Sequence, residues 1–163
     1  MRNILVIDDE VDICNNIKAI LADEGFNIHI AHNSDDAFSY INENAYNLII
    51  LDVWLDNSKY DGLEILKEIR KNETVPIIVI SGHGNIDMAV SAIKDGASEF
   101  IEKPFNTERL LLSVNRTIEL HEVKYENRIL KEGSIFDYKF IGKSSAIIKI
   151  KQQITKVAPT LSR

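Results

Sequence analysis

Cysteine is nearly missing from this chain. Cys14 stands alone among 163 residues, so no internal disulfide can brace the fold, and its thiol is expected to pack inside a helix. Such usage suits a reducing cytoplasm. Long apolar runs are missing too: Asp52 interrupts the longest central one, which leaves nothing of membrane-spanning length. Arg2 is followed at once by a strand-like run with no cleavage-like segment, so no signal peptide is expected. Positive charge is in deficit, 19 Lys and Arg against 25 Asp and Glu for a formal net charge of −6, which makes the chain as a whole a poor holder of polyanionic nucleic acid. There is no internal repeat and no low-complexity tract. The length allows one ordinary domain with a real core, plus an appendage.

What is there is a regular alternation of short apolar runs and helix-like stretches. Asn3–Ile7 reads as a strand and Val11–Asp23 as a helix with Ile13, Ile17, Ile20 and Leu21 apolar, stopped by Gly25. A second strand, Asn27–Ala31, precedes a helix from Asp35 to Asn44 begun by Ser34. Asn47–Leu51 is the third strand, Leu63–Lys71 the third helix, and Pro76–Ile80 a very apolar, central fourth strand. Asn85 is placed to cap a helix Ile86–Lys94 that Gly96 ends, and Ser98–Ile101 is the fifth strand. Repeated βα units of this kind predict a doubly wound α/β sandwich on a five-stranded parallel sheet.

The pattern changes after Pro104. From Thr107 to Lys131 no helix breaker occurs, and Leu111, Val114, Ile118, Tyr125 and Ile129 fall near heptad spacing, with His121 interrupting the seam. Two readings stand: a fifth helix whose second half is a solvated linker, or a dimerising signalling helix. Gly133-Ser134 then breaks the chain. Phe140-Ile141 and the amphipathic stretch with Ile147, Ile148, Ile150 and Ile154 bury too little to form a domain and look like the opening of one.

Chemistry-bearing residues sit where apolar runs end. In parallel α/β sheets, functional groups gather at the carboxyl ends of the strands, which brings Asp8, Asp9, Asp52 and Lys103 to one crevice. Three carboxylates so close raise one another's proton affinity until a cation arrives. An oxygen-only ligand set with no His or Cys favours Mg²⁺ over Zn²⁺. Read alone, either Asp8 or Asp9 is equally a cap of the following helix, but two carboxylates exceed what a cap needs. Asp52 is the candidate nucleophile toward a phosphoryl group, forming an acyl phosphate. Lys103 would pair with the phosphoryl oxygens as a point charge, and Ser81, just past strand four, would donate its hydroxyl to one of them. Read alone, Ser81 is equally a turn residue before Gly82.

The blocks VIDDE, LDVWL followed by DGLEIL, ISGHG and EKPF, in that order, resemble the receiver domain of bacterial two-component response regulators over Asn3 to about Ile118. The resemblance implies a flavodoxin/CheY-like sheet of order 2-1-3-4-5. It makes Asp52 the phosphoacceptor, with Asp8, Asp9, Asp52 and the Trp54 backbone carbonyl binding Mg²⁺. Ser81 and Lys103 match the family's phosphoryl-contacting hydroxyl and lysine, and Phe100 its switch aromatic. A sensor histidine kinase is the implied donor. Homodimerisation and a cytoplasmic location follow from the same likeness, with no membrane contact. The loop between Asp52 and Gly62 is longer than the usual receiver pattern and lacks its proline. With SGHGNI and AVSAIK it looks like the NtrX branch of the NtrC-type regulators. Residues 1–118 are then the receiver, 119–139 a linker helix and loop, and 140–163 the first residues of an AAA+ module, so that DNA would be bound only by a region beyond Arg163.

Rivals come from other classes. An aspartyl-phosphate phosphatase of the haloacid dehalogenase type also uses an aspartate after an apolar strand, Mg²⁺ and a lysine. Its general acid lies two residues after the nucleophile, where this chain has Trp54. A flavodoxin-like electron carrier shares the fold but needs a Ser/Thr-rich phosphate loop after strand one, which is missing. A structural dimerisation module would leave the acidic pocket vestigial. Gly142-Lys143-Ser144 imitates a phosphate-binding loop, but the pattern needs a glycine where Asp137 stands, so no ATPase activity is expected of this chain. His83 reads as a solvent-facing loop residue, and His29, His32 and His121 as structural.

Overall fold

The apolar runs become strands because both of their faces are covered. β1 (Asn3–Ile7), β2 (Asn27–Ala31), β3 (Leu48–Asp52), β4 (Ile77–Ser81) and β5 (Glu99–Glu102) form one parallel sheet of order β2-β1-β3-β4-β5 in the computed structural model, which describes residues 2–82 and 86–133. Every residue of β3 and β4 is buried, as in sheets with helices on both sides. Alternate side chains divide the core in two. Ile4, Val6, Leu48, Ile50, Ile78 and Ile80 pack beneath α1 (Val11–Asp23) and α5 (Thr107–Gly133), against Ile17, Leu21, Leu110, Val114 and Ile118. Leu5, Ile7, Ile49, Leu51, Ile77 and Val79 point the other way, toward α2 (Ser34–Glu43), α3 (Gly62–Arg70) and α4 (Ile86–Lys94), meeting Ala37, Ile65, Leu66, Ile69 and Ala92. Each large side chain buried in this way contributes about 1.5–3 kcal/mol.

Register follows from pairing of like positions: Ile4 lies opposite Ile28 and Leu48, and Ile50 opposite Ile78. The crossover direction reverses between β1 and β3, which opens the crevice where ligands of such sheets bind. Asp8 and Asp52 stand at the carboxyl ends of those two strands.

Local signals shift some helix ends from their expected positions. α2 is capped by Asn33, whose side chain accepts from the Asp36 N–H at 2.9 Å, rather than begun by Ser34 as a cap. α3 starts at Gly62 because Asp61 and Glu64 form a capping box, each side chain accepting from the other's backbone N–H. Gly25 and Gly96 close α1 and α4 with φ of +82° and +105°, conformations that cost a side chain dearly. The expected cap Asn85, the loop residue His83 and everything assigned to 134–163, the AAA+ opening included, lie outside the described residues.

The chain divides into two compact units, 1–124 and 125–163. Within the first, Val114 and Ile118 are core residues, so that part of the heptad-like stripe faces the sheet. In the second, Tyr125 and Ile129 are exposed, and the Arg128 guanidinium lies 5.5 Å from the Tyr125 ring centroid.

Candidate functional site

Asp8 is anchored on every side. Its N–H donates to the Ala31 carbonyl at 3.1 Å, extending the β1–β2 ladder by one residue. Its own carbonyl accepts from the Cys14 thiol at 3.2 Å and lies 2.9 Å from His32 Nδ1. Its carboxylate accepts from the Glu10 N–H at 2.9 Å through Oδ1 and from Lys103 Nζ at 2.8 Å through Oδ2. Asp8 is wholly buried.

Asp52 ends β3 and is 3 % exposed. Its Oδ1 accepts from the Val53 N–H at 3.0 Å, and its Oδ2 lies 3.3 Å from Lys103 Nζ. Gly62 packs directly behind it: the Gly62 N–H donates to the Val53 carbonyl at 2.9 Å, and a Cβ at 62 would collide with the Asp52 carbonyl oxygen. The start of α3 can approach the phosphoacceptor candidate this closely only as glycine.

Lys103 reaches the pocket from the end of β5, fixed by its N–H on the Ser81 carbonyl at 2.8 Å. Its ammonium faces three carboxylates, the third being Glu10 Oε1 at 3.3 Å. Ser81, buried at the end of β4, donates its hydroxyl to Met88 Sδ at 3.8 Å, and it stands one residue past the Asp52–Ile80 pairing. Phe100 pairs with Val79 in the sheet and is half-buried, lining an open groove with Ile86, Ala89 and Lys103.

Asp9 and Glu10 face different partners. The Asp9 carboxylate accepts from the Asp56 N–H at 3.2 Å, tying the β3–α3 loop, while Asp8, Glu10 and Asp52 each offer one oxygen within 4.8 Å of the others. Trp54, whose carbonyl was expected to join the metal shell, has a half-exposed side chain in that loop. Glu10 gave no sequence signal beyond its place after the aspartate pair. The contacts of Gly62, Cys14 and His32 are likewise long-range and invisible to local pattern.

The electrostatics are those of a crowded acid. Burial, then the neighbouring Asp8 charge, pushes the Asp52 carboxyl up to about 7, against the pull of Lys103. Burial also raises Asp8, opposed by Lys103 and the Glu10 N–H. At Lys103 burial works against the charge, yet the hydrogen bond to Asp8 and the charge of Asp52 outweigh it, and the ammonium is held more firmly than usual. The donor set is all oxygen and carries more negative charge than one lysine cancels, which fits a hard divalent cation.

A buried aspartate beside a lysine and further carboxylates, at the switch point of a 2-1-3-4-5 parallel sheet, places the chain among doubly wound domains with an acidic crevice at the strand ends. The response regulator receiver domain family matches residues 4–115, and the chain belongs to that family. Within it, the chain resembles NtrX-type regulators. It is 44% identical over 163 residues to the nitrogen assimilation regulatory protein NtrX of Azorhizobium caulinodans, covering 99% of this chain and 36% of that protein. An NtrX-like response regulator of Rickettsia bellii is 45% identical over 162 residues, 99% of this chain and 34% of the relative. The chain thus spans about a third of the length of these curated relatives. Among solved structures, the receiver domain of NtrX from Brucella abortus superposes with a TM-score of 0.69 at 50% identity, over 71% of this chain and 98% of that one. The beryllofluoride-activated NtrC4 receiver domain dimer does so with a TM-score of 0.70 at 41% identity, over 74% and 99%.

Proposed function

We propose that Asp52 accepts a phosphoryl group and that the domain is the input switch of a transcription-controlling response regulator. The observation that carries this reading is the Asp52 carboxylate, buried at the end of β3 with the Lys103 ammonium 3.3 Å away and Asp8 beside it. In the transfer, a bond forms between an Asp52 oxygen and phosphorus as the bond from phosphorus to the donor breaks, its electron pair leaving with the donor. A sensor histidine kinase is the donor that the family implies; a small acyl phosphate supplies the same chemistry.

Mg²⁺ is the cofactor the donor set favours. Asp8 and Asp52 would hold it, with Asp9 and the Trp54 carbonyl completing the protein's share. When bound, the ion supplies positive charge that keeps Asp52 ionised and neutralises the phosphoryl oxygens. Lys103 balances charge on the opposite flank, and Ser81 offers a hydroxyl to a phosphoryl oxygen. Phe100 then repacks as the hydroxyl moves, changing the surface of α4 and β5. The NtrC4 receiver dimer supports a homodimer as the switched state. DNA contacts would belong to a region outside residues 1–163. No helix among the described residues is long and apolar enough to cross a membrane. A cytoplasmic location is what the receiver family implies.

Trp54 stands where a haloacid dehalogenase-type phosphatase keeps its general acid, so sustained hydrolysis lacks its proton donor. The test is intact mass after incubation with acetyl phosphate, with and without Mg²⁺, beside Asp52→Asn. A Mg²⁺-dependent phosphoryl adduct missing from the variant supports the reading. An adduct of equal yield on Asp52→Asn, or none on the parent with no phosphate released, overturns it.

A further inference from the structure

Lys103 is fully committed. Its ammonium has three N–H bonds and faces three carboxylates: Asp8 Oδ2 at 2.8 Å, Asp52 Oδ2 at 3.3 Å and Glu10 Oε1 at 3.3 Å. A phosphoryl oxygen arriving on Asp52 needs one of those N–H bonds, so one carboxylate must yield. Asp8 cannot: its side chain is 0 % exposed, and its other oxygen is held by the Glu10 N–H. Asp52 gives up its charge only as its own bond to phosphorus forms, too late to free the ammonium for the incoming group. Glu10 is the third, and its side chain is 59 % exposed. Exposed ion pairs are cheap to break, since water replaces what is lost.

We infer that Glu10 is a rate-setting positioning residue, a carboxylate that occupies Lys103 until the phosphoryl group displaces it and that opposes the arriving negative charge. The inference rests on Asp52 as the acceptor. Two effects of Glu10 point the same way. It draws the ammonium toward the outer side of the pocket, and its charge repels a dianionic donor at a site whose carboxylates already outnumber the lysine. Both vanish in Glu10→Gln, which keeps the shape of the side chain.

The experiment measures adduct formation on the full chain from acetyl phosphate at saturating Mg²⁺, for the parent, Glu10→Gln and Glu10→Ala, at low and high salt. Removing a like charge a few ångströms from the reacting group should accelerate uptake about threefold to tenfold. That gain should shrink at high salt, because the charge removed is exposed. A purely structural role would not respond to salt. Mg²⁺ affinity, read from Trp54 fluorescence in the same variants without donor, should stay within about twofold. Adduct on the parent with equal or slower uptake in both variants overturns the role given to Glu10 alone. So does a marked loss of Mg²⁺ affinity in Glu10→Gln, which would make Glu10 a metal ligand. Failure of the parent itself to form an adduct overturns the phosphoacceptor reading, and this inference with it.

Discussion

Replacing Asp52 by asparagine should make the metal-free protein more stable, and only above acidic pH. The folded chain holds the Asp52 proton up to about pH 7, chiefly because burial penalises the charge and Asp8 repels it, whereas an unfolded aspartate loses its proton near 3.8. Folding therefore becomes less favourable as pH rises from about 4 to 7 and levels off above. Each tenfold change in proton affinity is worth about 1.4 kcal/mol, so the folded state forfeits on the order of 4 kcal/mol by pH 8. Asparagine mimics the protonated acid and escapes that cost. For a chain of this size the gain corresponds to about 10 °C in Tm. At pH 4 the difference between the two proteins should fall below about 1 kcal/mol. Urea unfolding in chelator at both pH values checks it. A gain of the same size at pH 4 and pH 8, or no gain at pH 8, refutes the picture of a crowded, desolvated acid. Mg²⁺ should narrow the gap at pH 8 by stabilising the parent.

Two further outcomes follow from the same geometry. Lys103→Met removes the ammonium shared by Asp8 and Asp52 and leaves buried charge uncompensated, so it should destabilise the protein by about 3 kcal/mol at neutral pH in urea melts without metal; a neutral effect would mean the carboxylates are already protonated. Gly62→Ala drives a methyl into the Asp52 carbonyl, a backbone atom with little room to move, and should cost about 2–3 kcal/mol by thermal unfolding while lowering adduct yield, whereas unchanged stability would contradict the close approach of α3 to β3.

The sheet was legible because its signal is local. Runs such as Ile4–Ile7, Leu48–Leu51 and Ile77–Ile80 are apolar on both faces, which only a doubly covered strand requires. Helix stops were legible at Gly25 and Gly96, where positive φ selects glycine. The capping box of α3 was written as Asp61 followed by Glu64 three residues later, a local signal that marks the helix start at Gly62 and not Leu63. The meeting of Asp8, Asp52 and Lys103 was legible because strand ends converge. What local pattern did not carry was which carboxylate faces which neighbour. Asp9 turns to the Asp56 N–H while Glu10 meets a lysine 93 positions away, and nothing in the residues beside either one encodes that choice. The Cys14 and His32 contacts to the Asp8 carbonyl are of the same kind: they arise because α1 and the end of β2 meet over one peptide.

The most direct measurement is to locate the phosphoryl group. Protein treated with acetyl phosphate and Mg²⁺ is reduced with borohydride, which converts an aspartyl phosphate to homoserine, and the peptides are sequenced by mass spectrometry. Reduction confined to position 52 is the result the buried Asp52–Lys103 pair predicts. Reduction at Asp8 or Asp9, or spread over exposed carboxylates with Asp52 untouched, would contradict it.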